Sequence, residues 1–397
     1  MASNYPLMKN NISREDLDLV IKHLKKKNPI LTQNKFVKKF ESDWSKWLGV
    51  KYSVFVNSGS SANLLSISYL KSLFPNGGEV IVPALTWSSD INSLLFFGFK
   101  PIFADIDMKN LSISYETVKH LVTRKTVAIF ITYAQGFNSM SNKLINLIKK
   151  HNLILIEDVC ESHGATFKNK RLGNFGLISN FSFYYAHHIS TIEGGMICTN
   201  DSKVDNYIRM ARGHGLLRES NNEKFKKLMK KKYKNLNSEF IFMINGFNMR
   251  NNEIGGILGC NQLKRLDSNV LKRNKNFNYF LSQINKKIFF CDFDTIGMSN
   301  YAFNLVLKKE FKYLISKLCK KLDKSKIEYR LGSAGGGNQI RQPYVSKTFL
   351  KNISEMNLSK NYPNVEHIHK YGMYLGNYPD LTKKNIDYIC KTINSII

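Results

Sequence analysis

The sequence predicts an α/β protein, with a large domain on a mostly parallel sheet at residues 1–250 and a smaller α+β domain at 251–397. Three observations carry that prediction. Between about residues 50 and 200, short runs of β-branched and aromatic residues alternate with segments of helical character, as βα units do. Those runs are continuously apolar, which is the pattern of strands covered on both faces. After about residue 250 the alternation stops, and a long Lys-rich helical stretch gives way to shorter mixed elements. A chain of 397 residues with 43% hydrophobic content can bury a core for both parts.

Taken in order, the first 50 residues read as helical, because "REDLDLVIKHLKK" sets its apolar residues at helical spacing. "YSVFVNSGSSANLLSISYLKSL" then reads as a β-rich run, a Ser/Gly turn and a helix entered through small residues. Strands are expected at 79–87, 100–107, 126–134 and 153–160, with a helical or loop segment at 142–151 and a further strand at "MICTN". In the carboxy-terminal part the helical stretch runs to about residue 287. Shorter strands are expected at "KIFFCDF" and "YAFNLVLK", and helices at 311–322 and 383–397.

Bulk properties narrow the function. The formal charge is +29, yet the lysines come in runs such as "KKLMKKKYK" without interleaved aromatic platforms or a reader motif, so they are expected to be solvated surface and not a nucleic-acid face. Six cysteines lie far apart with no C-x-x-C pair, which points to reduced thiols and to no metal site. No apolar run approaches the length of a membrane span, and "MASNYPLMKNNISRED" lacks the apolar core of a secretion signal. A cytoplasmic protein without a membrane partner is expected.

Four stretches carry chemistry. In "NSGSSAN" (57–63) a Gly/Ser turn leads into a helix, whose free N–H groups and positive dipole end suit a phosphate; an ordinary helix cap would look the same. "LIEDVCESHGA" (155–165) puts Asp158 and Glu161 just past the carboxyl end of a buried strand, where α/β sheets hold ligands. "FYYAHHISTIEGG" (183–195) has two adjacent histidines, His187 and His188, before a Glu-Gly-Gly turn, and Ser182 five residues ahead of the first. The fourth is "GFNMRNNEIGGILG" (246–259).

Together and in this order, "SGSSAN", "VPALTW", "EDVCESHGA", "FSFYYAHHISTIEGGM", "RGHG" and "GFNMRNNEIGGILG" resemble the motif series of the DegT/DnrJ/EryC1/StrS family. Its members are nucleotide-sugar aminotransferases and dehydratases of the type I pyridoxal-phosphate, aminotransferase-like fold. The resemblance implies that Gly59, Ser60 and Ser182 hold the cofactor phosphate, and that Trp87 stacks on the ring. It implies that Asp158 pairs with the ring nitrogen, that Glu161 lies near the ring hydroxyl, and that Asn248 reaches the phosphate of a neighbouring subunit in a homodimer.

One residue departs from the aminotransferase pattern. The family's aminotransferases have a lysine where this chain has His187. A lysine amine bonds covalently to the cofactor aldehyde; an imidazole forms no stable bond of that kind but moves protons near neutral pH. The departure resembles the sugar 3-dehydratases of the family. It implies non-covalent pyridoxal or pyridoxamine phosphate, His187 as the catalytic proton carrier, and His188 orienting it or meeting substrate. "GNQIRQPYV" (337–345) is similar to a segment near the substrate in those dehydratases, so Arg341 is a candidate for binding its phosphate or carboxylate. Scattered cysteines favour the glutamate-dependent type acting on a GDP-linked 4-keto-6-deoxy sugar over the iron–sulfur type acting on CDP-sugars. An aminotransferase using another lysine remains the rival reading.

Overall fold

The computed structural model describes residues 4–347, 349 and 354–396. Two helices precede the sheet. α1 (Arg14–Leu24) starts at Ser13, whose hydroxyl accepts from the Asp16 amide while the Asp16 carboxylate accepts from the Ser13 N–H. α2 (Lys35–Leu48) buries Val37, Phe40, Trp44 and Leu48, which recur at the spacing of successive turns.

β1 (Tyr52–Val56), α3 (Gly59–Leu73), β2 (Glu79–Pro83), α4 (Ser88–Phe96), β3 (Lys100–Ala104), α5 (Tyr115–Val118), β4 (Thr126–Thr132), α6 (Asn142–Lys150) and β5 (Ile154–Asp158) then alternate. A small hairpin, β6 (Thr166–Phe167) and β7 (Lys170–Arg171), leads to β8 (Ile178–Ser182) and β9 (Gly195–Thr199). The central sheet has the order β1-β9-β8-β5-β4-β2-β3. Neighbours from β8 to β3 are parallel, whereas β9 runs antiparallel to both β8 and β1. The α/β expectation holds, and the buried runs account for it: every residue of β2, β8 and β9 is buried.

The carboxy-terminal part follows α7 (Ser202–Arg212) and α8 (Glu223–Lys232). It opens with α9 (Glu253–Gln283), whose 31 residues span about 45 Å. β10 (Ala302–Val306), α10 (Ile315–Lys324), β11 (Tyr329–Leu331), α11 (Pro343–Ser346), α12 (Glu355–Asn361), α13 (Pro363–Tyr371), β12 (Gly372–Gly376) and α14 (Lys383–Asn394) complete it, with a three-stranded sheet ordered β10-β12-β11. Val82, Phe103 and Phe130 of the large sheet share one buried cluster with Phe303, Leu305 and Leu375 of the small one. The amino-terminal segment also crosses over: Tyr5 bridges to Ile327, and the Leu7 N–H donates to Glu328 at 3.0 Å.

Three details differ from the sequence reading. "KIFFCDF" forms no strand; Phe289 makes a single bridge to Leu307, while Ile288, Phe289 and Phe293 plug the core. The helix expected at 311–322 is a 3₁₀ turn, Lys309–Leu314, running into α10. β8 was not expected, because "ISNFS" carries buried Ser179 and Asn180 where an apolar run would be looked for.

Glu253 ties α9 to α2. The N-cap residue of α2, Asn34, makes no side-chain cap bond, and the orphan amides of the first turn go instead to Glu253, which accepts from Asn34, Phe36 and Val37 at 2.8–2.9 Å. Close helix contact makes this possible, since a Cβ on Gly259 would lie 2.6 Å from the Phe40 ring. Glu253→Ala would leave three amides unsatisfied and should destabilise the fold by about 3 kcal/mol, read as a lowered urea midpoint with unchanged slope.

Candidate active site

The site lies along the carboxyl edge of the parallel strands, where β1, β2, β5 and β8 end and β9 begins. α3 leaves β1 through Ser58, whose hydroxyl accepts from the Ser61 amide at 3.0 Å. The first turn of α3 therefore points its remaining N–H groups, at Gly59 and Ser60, off the sheet edge. Gly59 is required there: a Cβ would lie 2.6 Å from the Ser182 Cβ and 3.0 Å from its Oγ. The Ser182 hydroxyl, at the last residue of β8, thus borders the helix start. These groups form a small anion cup.

Asp158 ends β5 and is buried. Its carboxylate accepts from the Cys160 amide at 2.9 Å and from the Asn63 side chain at 3.0 Å. Glu161, three residues on, accepts from the Gln135 amide at 2.7 Å. Burial, together with the charge of Asp158, pushes the Glu161 carboxyl up to about 7 despite that bond. Trp87 caps the start of α4, and its side chain is 58% exposed, a bare aromatic face at the end of the β2 connection.

The loop between β8 and β9 carries the histidines. It is closed by the Phe183 amide donating to Gly194 O at 2.9 Å, and Asn11 pins it by donating to His187 O at 2.6 Å. His187 is half-buried; its Nδ1 is inaccessible and has no partner, and its ring lies 5.9 Å from His163 and 5.8 Å from Tyr301. Burial and then the charge of Arg273 hold its imidazole well below 6.5, so it is a neutral base at neutral pH.

His188 is 1% exposed, and its Nε2 lies 3.1 Å from Ser299 Oγ, which itself donates to His163 O at 2.6 Å. Ser299 has one hydroxyl proton, so His188 Nε2 is the donor to it. Such a side chain braces the loop, which is the orienting role of the two expected. Arg341 is engaged within the chain: Nε and Nη2 donate to Glu366 at 2.7 and 2.6 Å, and Nη1 and Nη2 to Glu355 at 2.5 Å. Its fork grips two carboxylates here. Asn248 lies on the segment that pairs with Gly213 and whose next residue, Met249, accepts from the Asn57 amide at 3.1 Å.

Two residues were missed. Asp90, on the first turn of α4, is buried against Asp158, and in the sequence it reads as an ordinary helix-start acid. Arg273 is fully buried in α9 and donates to Tyr301 O at 2.9 Å and to Asn377 O, without a carboxylate partner among the described residues. Nothing in "VLKRNKN" separates it from surface lysines.

An anion cup, a buried carboxylate at the strand end, a bare indole and a neutral histidine together fit a phosphorylated pyridine cofactor, and the cup itself would be filled by any side chain at residue 59. Fold and site define a pyridoxal-phosphate-dependent enzyme of the aminotransferase fold. Residues 10–394 match the DegT/DnrJ/EryC1/StrS aminotransferase family, and the chain belongs to that family. It is 33% identical over 396 residues, 97% of this chain and 98% of the relative, to GDP-4-keto-6-deoxy-D-mannose 3-dehydratase of Escherichia coli O55:H7. Two solved structures are similar at 32% identity. One is the E. coli GDP-4-keto-6-deoxy-D-mannose-3-dehydratase with bound hydrated PLP, with TM-score 0.88, covering 99% of this chain and 100% of that one. The other is a GDP-4-keto-6-deoxymannose-3-dehydratase with a trapped PLP-glutamate geminal diamine, with TM-score 0.86, covering 98% and 100%.

Two outcomes are expected. With the phosphate on Ser182, Ser182→Ala would remove one charge-assisted bond and should weaken cofactor binding about ten- to hundredfold in equilibrium dialysis. With the ring hydroxyl against Glu161, whose carboxyl is pushed up to about 7, that side chain would be a neutral donor below that pH and an anion repelling the ring oxygen above it. Cofactor affinity should therefore fall as pH rises from 6 to 8, by up to about tenfold per unit, and Glu161→Gln should flatten the slope.

Proposed function

We propose that the protein is a glutamate-dependent 3-dehydratase of a GDP-linked 4-keto-6-deoxy sugar, releasing the 4-keto-3,6-dideoxy sugar, 2-oxoglutarate and ammonia. Both the sugar and glutamate come to this chain from its relatives' names. The observation that carries the reading is His187, a neutral, half-buried base between Ser182 and Glu193 at the mouth of the cup. Among the described residues no lysine is buried, which argues against a covalently tethered cofactor and against the aminotransferase reading.

The cofactor, in its pyridoxamine form, supplies an amine for the 4-keto group and a ring that accepts electrons. The chain's own groups do the rest. The α3 amides and Ser182 hold the phosphate, and Trp87 covers the ring. Asp158 retains the proton on the ring nitrogen, and Glu161 meets the ring hydroxyl. His187 takes up the proton whose removal drives the hydroxyl off sugar carbon 3. It can do so because its ring is neutral and held in place by the bond from Asn11 to its carbonyl. His163, His188 and Tyr301 exclude water behind it. In this reading Asn248 completes the phosphate cup of a second copy, so the active unit is a homodimer.

Incubation with L-glutamate and GDP-4-keto-6-deoxymannose should yield ammonia and 2-oxoglutarate in equal amounts with deoxygenated sugar; formation of a 4-amino sugar instead would overturn the assignment. His187→Asn should lower turnover about 10²- to 10⁴-fold while cofactor affinity changes little. His187→Lys should convert the cofactor to a form that survives gel filtration and is fixed by borohydride. Wild-type turnover in the Asn variant would assign the proton transfer to another group.

A further inference from the structure

Behind Asp158 lies a second carboxyl that the proposed chemistry does not use. Asp90 is fully buried on α4. Its Oδ2 meets the hydroxyls of Thr86 and Thr132, the latter at 2.7 Å, and those two hydroxyl oxygens lie 2.7 Å from each other. Its Oδ1 faces Asn63, whose side-chain nitrogen lies 2.5 Å from it, 3.0 Å from Asp158 Oδ2 and 3.0 Å from Ser89 Oγ. One NH₂ group has two hydrogens and meets three acceptors, two of them oxygens of neighbouring carboxyl groups. Two ionised carboxylates cannot share such a donor in a dry interior without strong repulsion, so one of them keeps a proton. Asp158 faces the open site and accepts a backbone amide, which favours its charge; Asp90 has no route to water.

We infer that Asp90 is a positioning residue, present as the carboxylic acid, so that Asp90 and Asp158, which share the Asn63 donor, present a single negative charge to the cofactor's ring nitrogen. Burial and the charge of Asp158 both raise the Asp90 carboxyl well above its ordinary value. With Asp90 neutral, no second negative charge raises the affinity of the Asp158 carboxylate for a proton. The proton it shares with the ring therefore stays on the ring, where it sustains electron withdrawal. Two hydroxyl hydrogens serve the three contacts among Thr86, Thr132 and Oδ2, so the third hydrogen is the acid's own, carried on Oδ2, and Oδ1 accepts from Asn63.

This rests on the reading that the cofactor ring lies against Asp158, and the test separates the two. Pyridoxal phosphate labelled with ¹⁵N in the ring is bound to wild type, Asp90→Asn and Asp90→Ala; the ring-nitrogen shift and the dissociation constant are measured, with thermal melts reporting folding. Asn offers an N–H donor of the same shape, so Asp90→Asn should keep a protonated-ring shift and an affinity within about threefold. Asp90→Ala should move the shift towards the unprotonated ring and weaken binding about ten- to hundredfold. An Asn variant that behaves like Ala would overturn the inference, because ionised Asp90 would then be the working form. So would a folded Ala variant indistinguishable from wild type. If Ala does not fold, infrared difference spectra of wild type against Asp90→Asn decide: a protonated-carboxyl stretch lost in the variant supports the inference, and its absence from wild type overturns it. A wild-type ring that binds unprotonated would sink the cofactor placement itself.

Discussion

The site depends on the contact between the first turn of α3 and the ends of β8 and β9. Gly195 pairs with Val56 on one side and with Ser182 on the other, so three chain segments meet where Gly59 begins its helix. A side chain at 59 would force Ser182 away, and with it the whole β8–β9 loop. That loop leaves from Ser182 and returns at Gly195, and the bond from Asn11 together with the rings of His163 and Tyr301 fixes where His187 lies along it.

Around that frame the buried charges are segregated. Asp90, Asp158 and Glu161 gather at the ends of β5 and α4, while Arg273, His163, His187 and His188 gather behind the loop. Burial acts on the two groups in opposite senses. It raises the Asp90 and Glu161 carboxyls and lowers all three imidazoles, in each case towards the neutral form. The site is thus poor in charge as well as in water, and a proton taken up by an imidazole there is held against burial. Electrostatic interactions across such a water-poor site are several times stronger than at the surface.

What could be read from the sequence follows the same physics. The parallel strands were legible because burial on both faces leaves a continuous apolar run, as in β2 and β4. β8 was not, because its buried polar residues mimic a loop: the Ser179 hydroxyl donates to Gly173 O and the Asn180 side-chain oxygen accepts from Ser66. Gly59, Ser182, Asp158 and Trp87 each end a strand or start a helix, and Glu161 and His187 lie on the loops that leave β5 and β8, positions that motif spacing does encode. The contacts of Arg341 and His188 were not legible because their partners, Glu355, Glu366 and Ser299, lie on other elements of the fold. Asp90 and Arg273 carry no local signal at all: their significance comes from being buried beside groups that only the fold brings near.

The lysine excess has a structural counterpart with chemical weight. The charge of +29 is carried on the surface: α8 buries none of its residues, and among the described residues no lysine of the chain is buried. A lysine at position 187 would stand on the same half-buried loop, so histidine there leaves that position without an amine. In the proposed reading, holding the cofactor then falls to the start of α3, the indole of Trp87 and the carboxylate of Asp158, a helix start, a helix cap and a strand end, which are parts of the fold set before any ligand arrives.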